Sequence, residues 1–226
     1  MQEGSQEFAV RRQLLAARTL AKLGSAEGGN FALKYLRDDV PSLRGLAALA
    51  GIPGRMERID LGQDFLAIVD FAHTPNALRR SLETARRLTS GRVIAVFGSA
   101  GLRDRAKRRM MAETAAELAD LTVLTAEDPR TEPLEVILAE MAAGALGRGG
   151  REGLSFWRVA DRGAALRCAI QLAQPGDVVI ACGKGHEQSM CFGTVEYPWD
   201  DRTAMRAALA EHLGLPGPAM PRLPTS

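Results

Sequence analysis

The sequence is short of several features that would each have fixed its class. It has three cysteines, Cys168, Cys182 and Cys191, in no C-x-x-C spacing, which argues against a zinc site or a disulfide framework. No apolar run approaches the roughly 20 residues of a membrane span. Neither G-x-x-x-x-G-K-[ST] nor G-x-G-x-x-G occurs, so the phosphate loop and the dinucleotide fingerprint are both missing. An excess of one charge is also lacking. Lys and Arg number 29 against 27 Asp and Glu, a net charge of +2, and no broad nucleic-acid or polybasic membrane surface is implied. The opening MQEGSQEFAVRRQ has no apolar stretch of a secretion signal. The expectation is a soluble cytoplasmic protein with no nucleic-acid or membrane partner. What is present is ordinary: 226 residues, 46% hydrophobic and 25% charged, enough to bury a core.

Two rhythms run along the chain. Residues 8–23 read as a helix with Val10, Leu14, Ala17 and Leu20 on one stripe. A weaker helix follows over 31–50. Gly51-Ile52-Pro53-Gly54 then marks a boundary, since proline and glycine both end regular structure. Beyond it, apolar runs alternate with amphipathic segments. Strands are expected at 65–70, 92–98, 121–125, 154–159 and 177–182. The helix after Thr74-Pro75 buries Leu78, Leu82, Ala85 and Leu88, with a capping hydroxyl followed by proline at the first turn. The next, from about 104, buries Ala106, Met110, Ala115 and Leu118. Thr131 caps a third, with Pro133 just inside and Leu134, Ile137, Leu138 and Met141 inward. Helices over 161–172 and 202–213 complete the set, and the Pro-rich end, 215–226, is expected to be unpacked.

Continuously apolar strands alternating with helices indicate a mostly parallel sheet covered on both faces, which binds ligands beyond the carboxyl ends of its strands. That rule selects four polar clusters. Asp70 either accepts from ribose hydroxyls or satisfies backbone amides in a local turn, and His73 either donates to a phosphate or sits at a helix start. Gly98-Ser99-Ala100-Gly101, followed by Arg103, Arg105, Lys107, Arg108 and Arg109, lets backbone approach an anion, or is simply a solvated basic stretch. Arg130, beside Pro129, is suited to gripping a carboxylate or else pairs with Glu127, Asp128 or Glu132. In Gly183-Lys184-Gly185-His186-Glu187 the glycines suggest close backbone approach, with Glu187 available to an ammonium and Lys184 to an anion. Trp199 is expected to pack under the last helix, and the cysteines to be small core residues.

Six motifs in order, PGRME at 53–57, DFAHTPNAL at 70–78, FGSAGLRDRAKR at 97–108, EDPRTEP at 127–133, GKGHEQ at 183–188 and DDR at 200–202, resemble the Mur ligase family. The resemblance implies the following. The fold would be a Rossmann-like C-terminal domain over 53–214, preceded over 1–52 by the helical end of a central ATPase domain. The activity would be that of an ATP- and Mg2+-dependent amide-bond ligase in peptidoglycan synthesis. It adds meso-diaminopimelate or a related amino acid to UDP-MurNAc-dipeptide, through phosphorylation of the substrate carboxylate and attack by the incoming amine. Arg55, Asp70 and His73 would contact the nucleotide. Arg103, Asp128, Arg130, Gly183 and Glu187 would line the amino-acid pocket, with Arg130 favouring diaminopimelate over lysine. No catalytic or metal-binding residue is assigned in this chain, so a separate ATPase polypeptide would be its partner. The sequence departs from the family pattern at Ala9-Val10-Arg11-Arg12, at Leu102, and at Glu127-Asp128, where the family has Asp-Asn. The alternative is a catalytically inactive amino-acid- or nucleotide-binding module.

Overall fold

The chain divides into two units, Met1–Ile52 and Pro53–Ser226. The structure, a computed structural model, describes residues 52–225. The two helices expected before residue 51 lie outside the described residues.

The second unit is a six-stranded sheet with a small hairpin beside it. In chain order its elements are β1 (Glu57–Ile59), β2 (Leu66–Asp70), α1 (Pro75–Arg87), β3 (Val93–Phe97), α2 (Ala106–Leu118), β4 (Leu121–Leu124), α3 (Leu134–Gly147), β5 (Phe156–Arg158), α4 (Arg162–Leu172), β6 (Val178–Cys182), β7 (Ser189–Phe192), β8 (Val195–Pro198) and α5 (Asp201–Leu213). The sheet order is β1-β2-β6-β3-β4-β5. All of its pairings are parallel except β1 on β2. This is the mostly parallel sheet expected from the apolar runs.

Strand β6 explains the layers. From β2 the chain steps over to β3, then to β4 and β5, and finally returns to insert β6 between β2 and β3. Crossovers of parallel strands are right-handed, so reversing the direction of travel moves the helix to the other face. Accordingly α2 packs against both α1 and α3, and α4 packs on α5. With both faces covered, β3 and β6 are buried at every position, and side-chain burial of this size is the main stabilising term.

Several details differ from the sequence reading. Helix α2 is turned by one residue: Met111 and Ala112 are buried, whereas Met110 is exposed and Ala106 lies outward. The buried Arg108 sets this register, because Glu132 and Glu140 neutralise it. Leu88 falls after the last turn of α1 and is exposed. Thr131 does not cap α3, whose first turn follows Pro133 without a side-chain cap. β1 and the β7–β8 hairpin were not foreseen. The tail is exposed over 215–219 but its end packs: Leu223 is 4% exposed in the core, and Thr225 Oγ1 donates to Asp161 Oδ2 at 3.1 Å. Gly163 leaves the room that Met220 occupies, since a Cβ there would lie 3.0 Å from its sulfur. Trp199 is buried, as expected, and its Nε1 donates to Asp201.

Candidate functional site

Strands β2, β6, β3 and β4 are neighbours, and the loops that follow them leave from one edge of the sheet. Four of these loops carry the polar clusters, and the segment before β1 joins them because Glu57 pairs with Val69 near the end of β2. Backbone strain concentrates here. Met56, Leu102, Asp128 and Arg130 have φ of 46°, 55°, 42° and 54°, and they are all the non-glycine residues with positive φ among the described residues. Each such conformation costs about 1–3 kcal/mol and persists only where the surroundings impose it.

One side of the rim is built on Phe71. The His73 ring stands edge-on to it at 4.6 Å, the His186 ring lies tilted at 4.8 Å, and the Arg55 guanidinium sits 4.9 Å from its centroid. The His73 Nδ1 lies 3.0 Å from the Phe71 carbonyl oxygen. A carbonyl only accepts, so Nδ1 carries the proton in that bond and Nε2 is left for another partner. Gly54, at φ +67°, lets segment 53–56 lie directly on the 183–187 loop: a Cβ there would be 2.2 Å from Gly185 and His186 backbone. Asp70 ties these parts together. Its Oδ2 accepts from Met56 N at 2.8 Å, and its Oδ1 from Ala72 N at 3.0 Å and Ser81 Oγ at 2.8 Å. That is the local-turn role, with about one of a carboxylate's four acceptor positions left over.

The other side is built on Lys184, whose side chain is 2% exposed. Its Nζ donates to Asp128 Oδ1 and Oδ2 at 3.0 and 2.9 Å, and lies 2.6 Å from Glu187 Oε2. Asp128 also accepts from Cys191 N at 2.8 Å. The main chain of Arg130 is strapped to the hairpin, its N donating to Cys191 O and its O accepting from Gly193 N. The Arg130 side chain has no ion pair among the described residues, because Asp128 is held by Lys184 and Glu132 by Arg108. Arg103 is exposed on the neighbouring loop. The loops touch closely: a Cβ on Gly101 would lie 1.9 Å from Pro129 O, and one on Gly183 would lie 2.2 Å from Glu127 Oε2.

Beneath this rim are groups whose burial the sequence did not announce. Glu127 is buried with Oε2 unpartnered. Burial pushes its carboxyl up to about 7, against the pull of Arg162, Lys107 and Lys184. Ser99 Oγ is likewise buried and unpartnered. Arg162 and Asp201 form a fully buried bidentate pair, both contacts at 2.7 Å. The remaining Arg162 donors reach Ala126 O, two residues past the end of β4, and Cys182 O, the last residue of β6. The structure thus brings Arg55, Asp70 and His73 together on one side of the rim, and Asp128, Gly183 and Glu187 on the other, with Arg130 and Arg103 on adjoining loops. Phe71 and Lys184 were missed as organising residues, although both lie inside the motifs. Among the described residues no group of three His, Cys, Asp or Glu could hold a metal ion.

A family model described as Mur ligase, glutamate ligase domain, matches residues 54–185, which contain most of this rim. The chain belongs to the Mur ligase family. It is 50% identical over 177 residues to the UDP-N-acetylmuramyl-tripeptide synthetase of Roseiflexus sp. (strain RS-1), covering 77% of this chain and 35% of that protein. Among solved structures, a UDP-N-acetylmuramoyl-L-alanyl-D-glutamate–2,6-diaminopimelate ligase matches with a TM-score of 0.64 and 38% identity, over 75% of this chain and 34% of that one. A bifunctional folylpolyglutamate synthase/dihydrofolate synthase from Yersinia pestis, complexed with AMPPNP and Mn ion, matches with a TM-score of 0.50 and 26% identity, over 70% and 36%. This Mur ligase chain spans about a third of the length of these relatives.

Proposed function

We propose that this chain supplies the C-terminal part of an ATP-dependent ligase that joins meso-diaminopimelate, or a related amino acid, to UDP-MurNAc-dipeptide. It would act in the cytoplasm with a separate ATPase part, on small-molecule substrates and without nucleic acid or membrane. The observation that carries the reading is the rim itself: every non-glycine left-handed residue described lies in the loops that hold the candidate ligand-binding side chains. In this reading Arg55, His73 and the Phe71 face hold the nucleotide, and Asp70 fixes the loop that presents Arg55 while keeping one acceptor position for a ribose hydroxyl. Arg130, with Arg103 beside it, takes a carboxylate of the amino acid. Glu187 takes its ammonium, and Gly183 and Asp128 shape the floor. ATP, when bound with Mg2+, supplies the phosphoryl group that activates the substrate carboxylate; the groups that would hold the metal are assigned to the ATPase part. The residues here orient the amine for attack, a matter of position rather than proton transfer.

A phosphate-release assay with ATP, UDP-MurNAc-dipeptide and diaminopimelate tests this. The chain alone is expected to give no turnover, and the chain mixed with the ATPase part of a relative is expected to give turnover. Robust turnover by the chain alone would overturn the partial-ligase reading. A second reading, an inactive binding module, is favoured by Lys184 already occupying Asp128 and Glu187. Ligand binding without turnover in the mixture would select it.

A further inference from the structure

We infer that Lys184 sets the charge balance of the amino-acid pocket, and so its choice between an amino acid whose far end is a zwitterion and one whose far end is a bare ammonium. The inference rests on the ligase reading above and names a specificity-determining residue within it. Lys184 is out of water, and all three of its ammonium protons are matched by the oxygens of Asp128 and Glu187. A buried ammonium requires such partners. The two carboxylates come from loops after β4 and β6, strands separated by β3, so the contact also fixes one loop against the other.

Counting charge makes the consequence plain. Asp128 and Glu187 carry two negative charges, and Lys184 and Arg130 two positive ones; Arg103, exposed on the neighbouring loop, is screened by water and counts for little in this balance. The Arg162–Asp201 pair below is closed on itself. Glu187 keeps a side chain 40% exposed, open to a ligand ammonium, and Arg130 has no ion-pair partner among the described residues. A neutral group of this kind matches a ligand end that is itself neutral, one ammonium with one carboxylate, as in diaminopimelate. Without Lys184 the pocket gains a net negative charge and favours the bare ammonium of lysine. Without the Asp128 charge it gains a net positive one and favours the carboxylate.

The test is calorimetric titration of the full chain with meso-diaminopimelate and with L-lysine, a pH unit below the value of about 7 to which Glu127 is pushed, so that its carboxyl stays neutral. Wild type is expected to prefer diaminopimelate. Lys184→Met is expected to move the affinity ratio about tenfold toward lysine, and Asp128→Asn, nearly isosteric, to move it the opposite way. The double variant is expected to return to within about threefold of wild type, because the two effects are coupled through one contact. Should Lys184→Met fail to fold, Asp128→Asn alone decides the matter. A wild type that binds diaminopimelate while the substitutions leave the ratio unchanged overturns this inference alone. A wild type that binds neither amino acid overturns the ligase reading and the inference together.

Discussion

At the scale of single residues, the rim is held by groups whose environment works against their ordinary chemistry. Glu127 is the clearest case. Its carboxyl rises from 4.5 to about 7 because burial penalises the charged form. Below about 4.5 both folded and unfolded chains bind the proton, and nothing is lost. Between 4.5 and about 7 the unfolded chain releases it while the folded protein keeps it, so stability falls as pH rises through that window. Glu127→Gln removes the window and is expected to unfold about 3 kcal/mol later than wild type at about pH 8, with little difference at about pH 5. Urea unfolding at the two pH values measures it; parallel pH dependence in both proteins would contradict it. Sequence reading marked Glu127 as a departure from the family motif and as one alternative partner of Arg130. Its burial was not legible, because it depends on Gly98 and Gly183, far along the chain, which leave no side chain between it and their strands. Gly101 offers a second test at this scale. With Pro129 O only 1.9 Å from where its Cβ would be, Gly101→Ala is expected to displace the 127–130 loop and weaken diaminopimelate binding, which titration reads directly. Unchanged affinity would show that the loop contact does not matter.

At the scale of elements, the parallel strands and the helices between them were readable because each buries one continuous apolar run or stripe. The failures have physical causes. β1 is only Glu57–Ile59 with one buried residue, too short to show a period. The β7–β8 hairpin turns at Gly193, where φ is +61°, and a two-residue turn opening with glycine was the missed signal. The register of α2 was misread because counting apolar residues cannot see that Arg108 is buried against two glutamates. The Arg108 hydrogen bonds hold Glu132 down to about 2, so this link between α2 and the segment before α3 is fully present above about 4.5. It is lost as pH falls toward 2, the reverse of Glu127. The buried Arg162–Asp201 pair joins the first turn of α4 to the first turn of α5 and binds the carbonyl that ends β6 and one in the loop just after β4. Asp201→Asn leaves a guanidinium uncompensated in the core and is expected to cost about 3–5 kcal/mol. Chemical denaturation checks it, and a loss under about 1 kcal/mol would mean the pair is not needed to hold the two helices.

At the scale of the whole molecule, the return of β6 between β2 and β3 does most of the functional organisation. It sets the GKGHE loop between the loop after β2 and the loop after β3, so motifs more than 100 residues apart in sequence share one rim. The parallel-sheet rule foresaw a common edge. It could not foresee that the edge has two sides, one gathered on Phe71 and one on Lys184, because both depend on side-chain packing between loops. The direct test of this arrangement is backbone amide NMR of the full chain, titrated first with meso-diaminopimelate and then with ATP. Shifts confined to residues 101–103, 127–130 and 183–191 with the amino acid, and to 54–56, 70–74 and 185–186 with the nucleotide, are the expected result. Perturbations elsewhere on the protein, or none with either ligand, would contradict it.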